Sequence, residues 1–345
     1  LRWRHDGHAS VEPRSLSRSE FTTARHQNTV KSSRFHYWHL TALLISTLVP
    51  VYIDKVAAEL TVVPGMPFAH DLRAKRGYVD TPLGQLHYQQ VGSGSKLIVL
   101  LHQVPWFHIY YSHAQTALAE QGLRSIAFDL PGYGLSDRLT TPPNIADYAE
   151  AIHAGLDELG IDTAIFLGHH TGAAVGVEIA RQQPQRVDCL LLHGVPLYSP
   201  SEQAKRLAKP HWNQKPSADG QYLARRWQYL SQFVVGSDAS RHWSLLTMFV
   251  AGPTEWYGHN AVFLYDMSAG LLELEVPVSV LGNTADLLDY TFERVRKLRP
   301  DFNYRRLNSD SSNMPFDEPI AWVSSVADEL GMCHSGSLLP LDLTD

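Results

Sequence analysis

The residues Gly168-His169-His170-Thr171-Gly172 carry the sharpest chemical signal in the chain. They follow the apolar run Ala164-Ile165-Phe166-Leu167 and precede a helix of small residues, Ala173, Ala174 and Gly176 among them, that reaches Gln182. A strand that turns abruptly into a helix forces the side chain at the tip into a strained conformation above the sheet edge. Glycines two residues to either side relieve the crowding. His170 is that tip. An imidazole has an unperturbed pKa of about 6.5, so at neutral pH it can take or give a proton. Ala or Gly would carry less strain there, which makes histidine an odd occupant for an idle position.

The elements that must position His170 read as an alternation of short β-rich runs and helical stretches from Tyr78 onward, the pattern of a mainly parallel sheet. Gly77 to Pro82 leads to Gln85 to Gln90, with Gly92 to Gly94 expected as a hairpin turn. Leu97 to Leu101 is continuously apolar, as a strand covered on both faces must be. Helix Tyr111 to Gln121, strand Ser125 to Phe128, helix Ile145 to Leu159 and strand Cys189 to Leu192 continue the series. Between residues 196 and 274 the alternation stops in favour of a helical pattern crowded with aromatics, including Trp212, Trp227, Trp243, Trp256 and Tyr257. It resumes with strand Val278 to Gly282, helix Tyr290 to Leu298, strand Tyr304 to Leu307 and helix Glu318 to Leu330. The expected organisation is a core of residues 71–195 and 275–331, a helical cap at 196–274, a leader at 1–70 and a tail at 332–345.

Bulk properties narrow the function. The 345 residues, 44% hydrophobic and 19% charged, fit one catalytic domain with an insertion. A formal net charge of -6 argues against a nucleic-acid binder, which needs a basic face. Two cysteines, Cys189 and Cys333, cannot build a disulfide framework or a thiolate zinc site. The apolar run Leu40 to Ile53 is shorter than the ~20 residues that a spanning helix needs, so no stable membrane span is expected. It resembles the h-region of a signal peptide behind an unusually long polar stretch, which would mean secretion. The preferred reading is a disordered leader ahead of a helix that packs on the domain, in keeping with a cytoplasmic protein, with secretion as the alternative. The oligomeric state is left open.

Three landmarks stand in a telling order: a strand ending in His102-Gln103-Val104-Pro105, the turn Asp129-Leu130-Pro131-Gly132-Tyr133-Gly134-Leu135-Ser136-Asp137, and the elbow itself. On these the chain resembles the α/β-hydrolase superfamily, in the branch of epoxide hydrolases and haloalkane dehalogenases, over roughly residues 77 to 331. The resemblance implies an α/β fold with a mostly parallel eight-stranded sheet flanked by helices and a helical cap, or lid. It implies an oxyanion hole built from the N–H of Thr171 and one from Val104 or Gln103. It also puts Asp286, in Leu281-Gly282-Asn283-Thr284-Ala285-Asp286, at the acid position, with a loop-capping aspartate as the alternative.

The chain departs from the family twice. His170 stands where the family has Ser, Asp or Cys. Ser312 or Asn313 falls where its base histidine should be, and His334 lies beyond the final helix. Without serine or base the acyl-enzyme route is closed. A His170–Asp286 dyad beside the oxyanion hole could instead move a proton. That suits hydrolysis of an ester, lactone or β-dicarbonyl compound by an activated water. It also suits lyase or isomerase chemistry through an enolate, and a catalytically dead binding protein is the remaining reading. Substrate contacts are expected from His102, Trp106, His193, Trp256, Tyr257, His259 and Asn313, around a hydrophobic small molecule. Of His102, His169, His170 and His193, two occupy positions where the family has structural histidines. That leaves too few for a metal site, so neither metal nor other cofactor is expected.

Overall fold

The computed structural model describes residues 74–209 and 216–332. The expectations for the leader, for Leu40 to Ile53, and for Trp212, Cys333, His334 and the rest of the tail lie outside the described residues.

One eight-stranded sheet organises the described residues. Its strands are β1 (Lys75–Thr81), β2 (Gly84–Val91), β3 (Leu97–Leu101), β4 (Arg124–Phe128), β5 (Ala164–His169), β6 (Val187–His193), β7 (Val278–Asn283) and β8 (Asn303–Leu307). They lie side by side in the order β1-β2-β4-β3-β5-β6-β7-β8. The pairs β1–β2 and β2–β4 are antiparallel, and from β4 to β8 every pair is parallel. Every residue of β3, β5 and β7 is buried, because helices cover both faces of the sheet centre. Successive side chains of β3 point to opposite faces. Leu97, Val99 and Leu101 join a core with α2 (Ile145–Glu158), α3 (Thr171–Gln182) and α9 (Phe292–Leu298). Ile98 and Leu100 join another with α1 (Ser112–Glu120) and α11 (Pro319–Met332).

Local chemistry sets the helix starts. Asn144 and Asp147 form a capping box that opens α2, and Ser199 and Glu202 form another that opens α4 (Pro200–Leu207). After α4 the insertion between β6 and β7 continues with α5 (Gln221–Leu230), α6 (Asp238–Ala251), α7 (Tyr257–Leu264) and α8 (Met267–Leu272). The four-residue helix α10 (Met314–Asp317) precedes α11. Among the described residues no helix is long and apolar enough to cross a membrane.

One turn differs from expectation. The hairpin is closed between Thr81 and Gly84, where the Thr81 hydroxyl donates to the Gly84 carbonyl at 2.7 Å. Gly92 to Gly94 instead links β2 to β3, which are not neighbours in the sheet. Those glycines are small for another reason: a Cβ on Gly92 would collide with the Leu123 carbonyl, and one on Gly94 with the Gly122 carbonyl.

Candidate active site

The elbow is as tight as its glycines imply. His170 has φ 47° and ψ -106°, and it is the one non-glycine residue with positive φ among the described residues. Such a conformation costs on the order of 1–3 kcal/mol and persists where its surroundings hold it. Here the His170 N–H donates to the His193 carbonyl at 3.0 Å, and the His170 carbonyl accepts from Ala173 N–H at 2.9 Å. A side chain on Gly168 would meet the Gly172 carbonyl, and one on Gly172 the Leu101 carbonyl.

Asp286, in the turn after β7, gathers the site's hydrogen bonds. Its Oδ1 accepts from His170 Nε2 at 2.7 Å and from Leu288 N–H at 2.6 Å, while Oδ2 accepts from His169 Nε2 at 2.8 Å. Burial alone would raise its pKa, but the His170 imidazole and the hydrogen bonds from both rings outweigh it and hold Asp286 well below the usual carboxylate range. An ionised carboxylate only accepts, so Nε2 of each ring carries its proton toward Asp286. On His169, Nδ1 then accepts from the Tyr110 hydroxyl at 2.6 Å. His169 also stacks on His193, with centroids 4.2 Å apart and planes 11° apart. On His170, Nδ1 keeps a free lone pair on a side chain that is 19% exposed and lines a cavity.

That cavity of about 430 Å³ lies between the carboxyl edge of the sheet and the helical insertion. Gln103, Val104, Trp106, Trp256, His259 and Asn313, all expected at the site, line it. Three expected contacts do not. His102 is fully buried, its Nδ1 donating to the Gln103 carbonyl at 2.9 Å and its Nε2 accepting from Leu130 N–H at 2.9 Å. It therefore pins the loop after β3 to the loop after β4. His193 is buried beneath His169, and the Tyr257 hydroxyl reaches toward the Thr140 carbonyl at 3.5 Å. Where the family's base histidine would stand, the Asn313 side-chain carbonyl accepts from Gln103 Nε2 at 2.8 Å, and the Ser312 hydroxyl donates to the Val235 carbonyl at 2.9 Å. Thr171 is the first residue of α3, so its N–H has no partner within the helix. Among the described residues the N–H groups of Gln103, Val104 and Thr171 donate to no other protein group.

Among the described residues, two groups of side chains gather ligand-type atoms within 4.8 Å of one another: His169, His170 and Asp286, and separately His87, His108 and Asp129. In both, imidazole N–H groups already engage the carboxylate. The second is wholly buried, with His87 Nδ1 and His108 Nδ1 each 2.9 Å from Asp129. It fixes the turn after β4 to its neighbours.

Several contributors to the site carry no motif in the sequence. Tyr110 orients His169, and Arg206, Arg226 and Glu255 of the insertion face the cavity. Gly194 is the least obvious. It follows β6 with φ 60°, and a Cβ there would lie 2.5 Å from His170 Cδ2, 2.7 Å from its Nε2 and 3.1 Å from Asp286 Oδ2. The His170 ring reaches Asp286 only through the space that this glycine leaves. Its signal was a glycine directly after the strand next to the elbow strand. Gly194→Ala is expected to push His170 off Asp286, to destabilise the fold by about 1–3 kcal/mol and to cost activity more than Ala substitutions elsewhere on the cavity wall. Steady-state kinetics and urea unfolding of the variant check this, and wild-type values in both would refute it.

Buried histidines also set a pH dependence. Burial drives His102 and His169 down to about 4, so each ring stays neutral in the fold. On unfolding, each takes up a proton at any pH between about 4 and its ordinary value of about 6.5. The unfolded chain therefore binds more protons in that window, and stability falls as pH drops through it, then levels for these groups. The loss is on the order of a few kcal/mol for each fully buried ring. Asp286 and Asp129, held below the carboxylate range, lose their contributions only at lower pH. The urea midpoint should decline steadily across the window; a flat profile would contradict the assignment.

Comparison with known proteins agrees with this architecture. Residues 96–256 match a family model described as alpha/beta hydrolase fold. Bifunctional epoxide hydrolase 2 of Rattus norvegicus is 34% identical over 131 residues, which is 36% of this chain and 23% of the relative. A 2-hydroxy-6-oxononadienedioate/2-hydroxy-6-oxononatrienedioate hydrolase of Paraburkholderia phymatum is 33% identical over 124 residues, 34% of this chain and 42% of the relative. In both cases the match spans less than half of the curated relative. Among solved structures, an enol-lactonase from Burkholderia xenovorans superposes with a TM-score of 0.59 at 21% identity, over 74% of this chain and 99% of that one. An epoxide hydrolase from an endophytic Streptomyces superposes at 0.60 and 18% identity, over 75% and 96%. Identities this low speak for the fold alone. The sheet order, the elbow and these matches support the α/β-hydrolase superfamily, and the fold of this chain is the α/β-hydrolase fold.

Proposed function

We propose that the protein is a hydrolase in which His170, held by Asp286, activates a water against the carbonyl of a hydrophobic ester, lactone or β-dicarbonyl compound. The observation that carries this reading is the 2.7 Å hydrogen bond from His170 Nε2 to Asp286, which leaves Nδ1 as the basic atom beside the cavity. In the reaction Nδ1 takes a proton from water, and the resulting hydroxide attacks the carbonyl carbon. The carbonyl π electrons move to oxygen, where the N–H groups of Thr171 and of Val104 or Gln103 hold the developing charge. Asp286 stabilises the imidazolium formed in this step. When the tetrahedral intermediate collapses, Nδ1–H returns the proton to the leaving group, so one water is consumed in each turnover.

The helical insertion acts as a cap that gives the cavity Trp256, Tyr229, Phe263 and Met248, an apolar wall suited to a hydrophobic acyl or aryl group. Hydrolase activity in the named relatives is consistent with this chemistry. A panel of activated esters, lactones and β-diketones with product identification tests the reading. Products that contain one added water are expected. Products formed without added water, or no turnover at all, would contradict it.

A further inference from the structure

We infer that the substrate carries a carboxylate at the end remote from the reacting carbonyl, and that Arg206 of the cap recognises it. The inference rests on the cavity being the substrate site and extends that reading to the substrate's charge.

The chain as a whole is acidic, with a net charge of -6, yet its cavity wall is not. Among the described residues, Arg206, Lys209 and Arg226 line it against one carboxyl group, Glu255. Burial raises Glu255 to about 6, partly offset by Arg226, and the cations on this wall outnumber it.

Arg206 sits in the last turn of α4, its guanidinium 4.3 Å from the ring centroid of Tyr198 and 5.6 Å from that of Phe263. Contact with these rings engages the cation without using its N–H groups, which remain for another acceptor. Its one hydrogen bond among the described residues is long, 3.4 Å from Nη2 to the Tyr290 hydroxyl. The carboxylate one turn earlier, Glu202, is already taken by Arg294, whose two terminal nitrogens lie 2.6 and 3.2 Å from its oxygens. A guanidinium fixed on aromatic rings, facing a cavity and lacking a carboxylate partner among the described residues, is shaped for bidentate capture of a planar anion. His259 ties this end to the catalytic end. Its ring, His170 and Arg206 all line the one cavity. One molecule can therefore meet Arg206 with its anionic end and His170 with its carbonyl.

The test compares binding of 4-phenylbutyrate with that of its neutral isostere 4-phenylbutyramide, by calorimetry on the full chain at low salt. The carboxylate is expected to bind about tenfold more tightly, the factor typical of a hydrogen bond to a charged group. That advantage should shrink as salt is raised. Arg206→Gln should reduce the preference to within about twofold, whereas Arg206→Lys, which keeps the charge without the fork, should retain a part of it. Equal affinity for acid and amide, a preference unchanged in Arg206→Gln, or no binding of either compound would overturn the anion site. Binding is read without turnover, so the two readings fail separately. Loss of the preference overturns the anion site whatever His170 does. A preserved preference with turnover indifferent to His170 overturns the catalytic reading alone.

Discussion

Asp286→Asn is expected to lower kcat/KM by about 10³-fold or more while leaving the elbow in place. Three N–H groups now converge on the Asp286 carboxylate, from His169, His170 and Leu288. An amide supplies one oxygen and one donor nitrogen, so at least one imidazole N–H must face another donor. If the ring that loses its acceptor is His170, the imidazole flips its tautomer and Nδ1 ceases to be the basic atom. If it is His169, the Tyr110 hydroxyl and the whole buried row must rearrange. Either way a buried donor loses its partner, at a cost of about 1–3 kcal/mol. The urea midpoint should therefore fall along with the rate. Near wild-type kinetics in this variant would mean that Asp286 caps its loop and does nothing more.

The second large effect concerns the tip itself. His170→Ser installs the residue type that the fold ordinarily places there, yet it is expected to be as inactive as His170→Ala, about 10²–10⁴-fold below wild type. A serine needs a base to take its proton, and the position where that base would stand holds Ser312 and Asn313, both tied into their own hydrogen bonds. The serine is also too short to reach Asp286 across the gap at Gly194. A His170→Ser variant that hydrolyses esters through an acyl-enzyme, detectable by mass spectrometry after acid quench, would show that another base is at hand.

Much of the fold was legible because the informative features are local. Continuous apolarity at Leu97 to Leu101 marks a strand covered on both faces, and Gly168 and Gly172 mark an elbow, since no side chain fits at either place. Where local chemistry is ambiguous, structure and expectation part. Gly92 to Gly94 resembled a hairpin turn, but it serves close backbone packing, while the real turn runs through Pro82 and Leu83. The helices expected to begin at Tyr111 and Tyr290 begin at Ser112 and Phe292, after single 3₁₀ turns whose residues have the same helical composition.

The site was legible in part for a related reason. Sequence places a histidine at the end of a strand but not on a given face, so His102 and His193 looked like candidates equal to His170. Burial and partners separate them. The pairing of His170 with Asp286, 116 positions away, depends on clearance at Gly194 that no motif encodes. The aromatics of the insertion announced an apolar wall. That Arg206, Arg226 and Glu255 share it follows only from the packing of the helices.

The most direct measurement is kcat/KM of the wild-type protein beside His170→Ala, on whichever ester or lactone of the panel turns over best, with thermal melts to verify that both are folded. A loss of about 10²–10⁴-fold is expected in the variant, with melting behaviour that shows an intact fold. Equal turnover by two folded proteins would contradict it, and would place the chemistry somewhere other than the tip of the elbow.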